Sequence, residues 1–348
     1  MTKEKYSKKK HLPLKISSNE LWVEYNKKGV RRYANTNANW KEQVLSLPEN
    51  EQLKLFHKYA LEGNKKMLKF FIEQSDAVSV NMVDSDANSA LMFAVKSGKR
   101  EAVEYLLKQH AVVDHINNLG LTPLHLAVRK NSLDLVRVLL EFGADVNITD
   151  TKYGYASRCY NQTPLFDAVQ ENNDQMIEYL FVNGADLDHQ NDSGRTPLMV
   201  AACNRHRQES LNKLIKLGAN VNICDNNGRD AFMHTINNNN GAMMDILLKA
   251  GTNINVADNE GITPLMLCAK RGNREGLRVL IARGANVFAK NNRGQTALNM
   301  AKIFKNKTCE EILAKAEKIY NSDLSQNQKV EALKQFAKQN RMQNSCIR

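Results

Sequence analysis

The chain contains no stretch of about 20 uncharged apolar residues, which excludes a membrane-spanning helix. Its first ten residues are basic but lead into no apolar segment, arguing against a secretory signal peptide. Cysteine is sparse. The six residues Cys159, Cys203, Cys224, Cys268, Cys309 and Cys346 stand singly, and none forms a Cys-x-x-Cys pair. Neither a zinc site nor a disulfide framework is indicated, so small buried thiols in a reducing compartment are expected. Only Ile347 and Arg348 follow Cys346, so no prenylation signal is present. There is no Gly-x-Ser-x-Gly, phosphate loop, Gly-x-Gly-x-x-Gly or His-Glu-x-x-His, and the histidines lack metal-ligand spacing. Catalysis, cofactors and bound metal are therefore not expected, nor is a small-molecule substrate. One nominal thiol–imidazole pair, Cys203 or Cys268 with His234, shows no orienting acid in the pattern and reads as core or face positions.

Charge is plentiful but unevenly placed. Residues 1–48 carry 11 Lys and Arg against 4 Asp and Glu, and residues 302–348 carry 10 against 5. Those ends account for the whole net charge of +12, leaving 28 against 28 between them. Any contact with nucleic acid or an anionic membrane is therefore assigned to the tails. Within them, Lys8-Lys9-Lys10 and Lys27-Lys28 with Arg31-Arg32 read as solvated basic runs, with nuclear localisation as the alternative.

The middle of the chain repeats itself. Ser89-Ala90-Leu91-Met92, Thr122-Pro123-Leu124-His125, Thr163-Pro164-Leu165-Phe166 and Thr196-Pro197-Leu198-Met199 align. Asp230-Ala231-Phe232-Met233, Thr263-Pro264-Leu265-Met266 and Thr296-Ala297-Leu298-Asn299 continue the series, at successive spacings of 33, 41, 33, 34, 33 and 33 residues. A second marker closes each unit: Gly143-Ala144-Asp145, Gly184-Ala185-Asp186, Gly218-Ala219-Asn220, Gly251-Thr252-Asn253 and Gly284-Ala285-Asn286. Thr122 suits a helix cap and Pro123 a first turn. Leu124, Ala127 and Val128 then give one short helix, and Leu135, Val138, Leu139 and Leu140 a second. Gly143 suits the left-handed residue that ends it. A unit of this size cannot bury its own apolar face, so neighbours must stack into one core.

These motifs resemble the ankyrin-repeat family. The resemblance covers roughly residues 51–316, as about seven repeats plus a partial C-terminal capping unit. It implies an all-α solenoid of helix–turn–helix units joined by β-hairpin loops. Three parts are expected: a basic N-terminal segment (1–48), the array (49–316) and a C-terminal basic amphipathic helix (317–348). The resemblance also implies a structural, hydrogen-bonded role for His125 within its repeat. Ankyrin arrays commonly engage partners through a concave face of first helices and hairpin tips.

Departures from the period point to function, because stacking does not require them. The interval from Gly143 to Thr163 holds eight more residues than its counterparts, and the extra stretch brings Tyr153, Tyr155, Arg158 and Tyr160 to a hairpin tip. Tyrosine and arginine anchor interfaces. Homology places Phe93, Lys96, Leu126, Arg129, Asp167, Gln170, Val200, Cys203, His234, Asn237, Leu267, Lys270, Met300 and Ile303 on the concave strip. The strip is mixed in character and suits a peptide or protein partner better than a phosphate backbone. One further residue near Cys203–Arg207 is expected to lengthen a turn between helices. The expectation is a monomeric, cytoplasmic, non-catalytic adaptor. The alternatives are a secreted effector of an intracellular bacterium or parasite acting in host cytosol, and a polyanion binder working through its tails.

Overall fold

The computed structural model describes residues 16–17, 20–21, 40–150, 160–237 and 240–345, with side chains described between 40 and 336. Tyr153, Tyr155, Arg158, Cys159, Cys346 and the basic runs before residue 40 lie outside the described residues.

Helices come in successive pairs. Repeat 1 is Glu49–Glu62 with Lys65–Gln74, repeat 2 Ala90–Ser97 with Arg100–Lys108, and repeat 3 Pro123–Arg129 with Leu133–Glu141. Repeat 4 is Pro164–Gln170 with Asp174–Val182, and repeat 5 Pro197–Ala202 with Gln208–Leu217. Repeat 6 is Ala231–Asn237 with Gly241–Lys249, and repeat 7 Pro264–Arg271 with Arg274–Ala282. Ala297–Ile303 and Lys307–Tyr320 form a last pair that caps the stack. Each first helix packs on the first helices of its neighbours, and one apolar core runs from Val44 to Leu333. That continuity is what a repeat too small to fold alone requires.

Local chemistry sets each boundary. Thr122 Oγ1 accepts from the His125 N–H, and the His125 ring returns to the Thr122 N–H, a reciprocal cap. Thr296 makes the same reciprocal cap with Asn299, Ser89, Thr196 and Thr263 accept from the third helical N–H without the return bond, and Asp230 substitutes with a 2.8 Å acceptor to Met233 N. Such caps contribute about 1 kcal/mol each. Thr163 departs from the pattern: its buried hydroxyl caps nothing and has no partner among the described residues. Asn64, Asn173, Asn240 and Asn273 cap second helices. Gly143 follows its helix at φ +84°, the left-handed residue expected there.

The loops between repeats are hydrogen-bonded turns rather than strand ladders. Among the described residues, regular strand pairing is confined to Ile16–Ser17 with Glu20–Leu21, plus an isolated bridge between Val83 and Ser89. In a representative loop the Asn117 N–H donates to Leu121 O at 3.1 Å, and Asn117 Oδ1 accepts from Leu119 N and Leu121 N, both at 3.0 Å. Consecutive loops also join, as where Asn226 N donates to Ser193 O at 3.1 Å.

The extra residue in repeat 5 is absorbed by a 3-10 turn, Arg205–Arg207, between its two helices, capped by Asn204 Oδ1. At the N-terminal end, Trp40 of the helix Trp40–Leu45 packs against Phe70 with ring centroids 5.0 Å apart and the rings tilted by 50°. At the other end, the helix Gln326–Ser345 packs on Arg274–Ala282 and Lys307–Tyr320 and buries Leu333.

Candidate functional site

Counting from each cap, the fourth residue of the first helix falls at one position in repeats 2 to 7 and in the capping pair: Phe93, Leu126, Asp167, Val200, His234, Leu267 and Met300. The seventh supplies a second column: Lys96, Arg129, Gln170, Cys203, Asn237, Lys270 and Ile303. Spacing of three on a helix puts both on the same side. Lys96, Arg129, Gln170, Asn237 and Ile303 are exposed, while Phe93, Leu126, Val200, Cys203 and Lys270 are half-buried. Asp167, His234, Leu267 and Met300 are buried, so these four support the face from beneath rather than present side chains to a partner.

Between repeats 3 and 4 the columns join diagonally, the seventh residue of one reaching the fourth of the next. Arg129 Nε donates to Asp167 Oδ1 at 2.8 Å. Between repeats 5 and 6 the influence is electrostatic: burial pushes the Cys203 thiol up, but His234, Arg195 and Arg207 bring it below its ordinary value. At the ends the contacts are aromatic: Lys96 Nζ lies 5.7 Å from the Phe93 ring centroid, Phe93 stacks on His57 at 5.0 Å, and Lys270 Nζ lies 5.3 Å from the Phe304 centroid.

Burial and charge set the protonation of this ladder. Burial pushes the Asp167 carboxyl up to about 6, against the pull of the Arg129 guanidinium, and its Oδ2 has no hydrogen-bond partner. Burial lowers His125 to about 4, keeping it neutral at physiological pH. Its Nε2 is 3.1 Å from Gln162 O, so it ties its repeat to the next as well as closing its own cap. His234 goes the other way. Burial pulls it down, but its hydrogen bond to Asp225, with the influence of Cys203, outweighs that and holds it at about 9.

Asp225 was invisible in the sequence pattern. It occupies the loop position held elsewhere by Asn117, Asn191 and Asn291, and its Oδ1 does the same work, accepting from Asn227 N at 2.9 Å and Arg229 N at 3.0 Å. A carboxylate has a second acceptor where an amide has a donor, and here Oδ2 holds His234 Nε2 at 2.9 Å. Asp84, Asp150 and Asp258 hold the same loop position with no histidine nine residues on, so an Asp there carries no signal by itself.

The insertion is framed by an ordinary loop. The Asp150 N–H donates to Gln162 O at 2.9 Å and the Gln162 N–H to Asp150 Oδ1 at 2.8 Å, the pairing that Asn117 and Leu121 make across four residues. Tyr160, at its base and half-buried, accepts from Asp192 N through its carbonyl at 3.1 Å.

Stacked helix pairs with interlocking side-chain columns define a repeat scaffold. A family model described as ankyrin repeats in three copies matches residues 56–150, 153–223, 208–291 and 232–327, and the chain belongs to that family. The crystal structure of the ankyrin repeat domain of Bcl-3 superposes with a TM-score of 0.56 at 29% identity, covering 64% of this chain and 99% of that one. A mouse B-cell lymphoma 3 protein homolog is 30% identical over 181 residues, 49% of this chain and 38% of that protein. A putative ankyrin repeat protein of fowlpox virus is 34% identical over 143 residues, 40% of each. A putative palmitoyltransferase of Danio rerio is 33% identical over 156 residues, 44% of this chain and 23% of the other. Each alignment spans less than half of these curated relatives' length. Ankyrin repeats generally mediate protein–protein interaction, and the fold is typically a non-catalytic interaction domain.

Proposed function

We propose that the chain is a non-catalytic adaptor that binds a protein or peptide through the face lined by its first helices, with the 149–160 loop as a second anchor. The observation that carries this reading is the ladder itself. Half-buried Phe93, Leu126 and Val200 alternate with exposed Lys96, Arg129 and Gln170 along one side. Such a strip offers apolar area to an anchor residue and charges to orient it, the division of labour that interfaces use. Its cations Lys96, Arg129 and Lys270 stand singly among apolar and neutral residues rather than clustered, so it does not match a phosphate backbone.

The residues flanking the loop adjoin that face: Asp150 pairs with Gln162, whose side chain accepts from Gln170 Nε2 at 3.2 Å. Deleting residues 151–158 leaves that frame intact. The shortened chain is expected to melt at the wild-type temperature and to lose a partner that the wild type retains in pull-down. An unchanged partner profile at unchanged stability removes the loop from the interface.

A further inference from the structure

The array is electrically lopsided. Residues 49–262 carry 21 Lys and Arg against 27 Asp and Glu, whereas residues 263–320, repeat 7 and the capping pair, carry 12 against 4. Half of those cations gather at one edge. Lys270, Arg271 and Arg274 flank the turn between the helices of repeat 7, and Lys302, Lys305 and Lys307 flank the equivalent turn of the capping pair. The two turns are clamped together, with Asn306 Nδ2 donating to Ala269 O at 2.7 Å and to Lys270 O at 3.1 Å. Lys270 is half-buried and the other five are exposed. Among the described residues, the ion pairs of repeat 7 join Arg278 to Glu275 and Arg283 to Asp245, and they use none of the six.

At this turn the capping pair departs from the repeat pattern in three consecutive residues. The seventh helical position, filled elsewhere by Lys, Arg, Gln, Cys or Asn, is Ile303. The eighth, polar elsewhere from Ser97 to Arg271, is Phe304. Ile303 is 54% exposed and Phe304 45%, so neither serves the core. The ninth is Lys305 at φ +57°, where other repeats have Gly98, Asn131, Asn172 and Gly272. Gly and Asn enter the left-handed region more cheaply than Lys does, so the backbone gains nothing from a lysine there.

Two exposed apolar side chains ringed by cations outside any ion pair have the chemistry of a bilayer contact. Hydrocarbon enters between headgroups while Lys and Arg meet the anionic lipid. A nucleic-acid strand fits less well. Its bases need flat faces to stack on. Ile303 offers none, and Lys270 Nζ already sits 5.3 Å from the Phe304 ring centroid. An anionic surface also repels the acidic remainder of the array, which turns the basic end toward it.

We propose that the turn 302–307, with Lys270, Arg271 and Arg274, docks the chain end-on to an anionic phospholipid bilayer, Ile303 and Phe304 entering the headgroup region. The contact is separate from the face lined by the first helices and does not depend on what that face binds.

The full chain is mixed with vesicles of phosphatidylcholine alone, or containing about 30% phosphatidylserine, and the bound fraction is read by sedimentation. Binding is expected to the mixed vesicles only, and to weaken as salt rises from about 50 to about 300 mM. Lys305→Gly removes a cation while relieving the backbone. It should bind about fivefold more weakly with the urea midpoint unchanged or raised. Ile303→Ser combined with Phe304→Ser should lower affinity about tenfold or more at an unchanged midpoint. Lys66→Gln, which removes an exposed cation of repeat 1, should bind as the wild type does. Residues 1–48 are common to all variants, so the differences report the turn alone. Equal binding to the two vesicle types, a Lys66→Gln loss matching that of Lys305→Gly, or wild-type binding by the double serine variant would overturn the assignment. So would displacement from vesicles by a single-stranded oligouridylate that the double serine variant binds as tightly as the wild type, which would assign the patch to nucleic acid.

Discussion

Asp167 provides a quantitative handle on the inner face. Its side chain is 5% exposed, it holds one ionic hydrogen bond from Arg129, and its second oxygen is unpartnered. In the unfolded chain its carboxyl titrates at the ordinary 3.8, and in the fold at about 6. Between those values the native state binds more protons than the unfolded one, so stability falls as pH rises. The contribution is intact below about pH 4 and lost above about pH 6. A shift of roughly two pH units corresponds to about 3 kcal/mol, at about 1.4 kcal/mol per unit. Asp167→Asn keeps the acceptor for Arg129 and removes the ionisation. The variant should therefore gain on the wild type by up to about 3 kcal/mol between pH 4 and pH 7. Urea unfolding at a series of pH values measures that difference. Hydrogen exchange in Pro123–Arg129 and Pro164–Gln170 localises it, because repeat arrays need not unfold in one step. A difference that stays constant with pH, or that shrinks as pH rises, refutes the assignment of a buried, half-satisfied carboxylate.

Removing the partner instead should do the opposite. Arg129→Gln leaves Asp167 without its cation and should cost about 2 kcal/mol at neutral pH, less in acid, as read by urea midpoints. Two glycines of equal conformation separate backbone strain from crowding. Gly194 and Gly294 both sit at φ +72°, but a Cβ on Gly194 would lie 2.6 Å from Asn226 N while one on Gly294 meets nothing within 4 Å. Gly294→Ala should cost about 1 kcal/mol and Gly194→Ala at least about 1 kcal/mol more, a ranking that thermal melts decide. Phe232→Ala empties a fully buried site in repeat 6 and should cost about 3–5 kcal/mol, with exchange protection lost first in repeats 5 to 7.

The fold was legible because each repeat restates its own boundaries. Thr122, Pro123 and Gly143 carry capping chemistry that acts over three or four residues, and seven copies make the register unmistakable. The lengthened turn at Arg205–Arg207 was legible for the same reason, as one residue too many in a fixed period. The face was legible as two columns, since the fourth and seventh positions follow from helical geometry. Their pairing was not. Arg129 and Asp167 are 38 residues apart, so their contact depends on the stagger between adjacent helices, which no single repeat encodes. Nor does the period show that Asp167, His234, Leu267 and Met300 are buried where Phe93, Leu126 and Val200, at the same position, are half-exposed. The part played by Asp225 depended on a free oxygen in a loop whose backbone duties an asparagine performs equally well.

The central claim is that partners dock on the face lined by the first helices. Site-specific photo-crosslinking tests it most directly, with a benzophenone side chain placed in turn at Leu126 on that face and at Val182. Val182 is 75% exposed at the end of the second helix of repeat 4. A single partner protein cross-linked from position 126 and absent from position 182 is the predicted result. Equal capture from both positions, or capture from 182 alone, would contradict it.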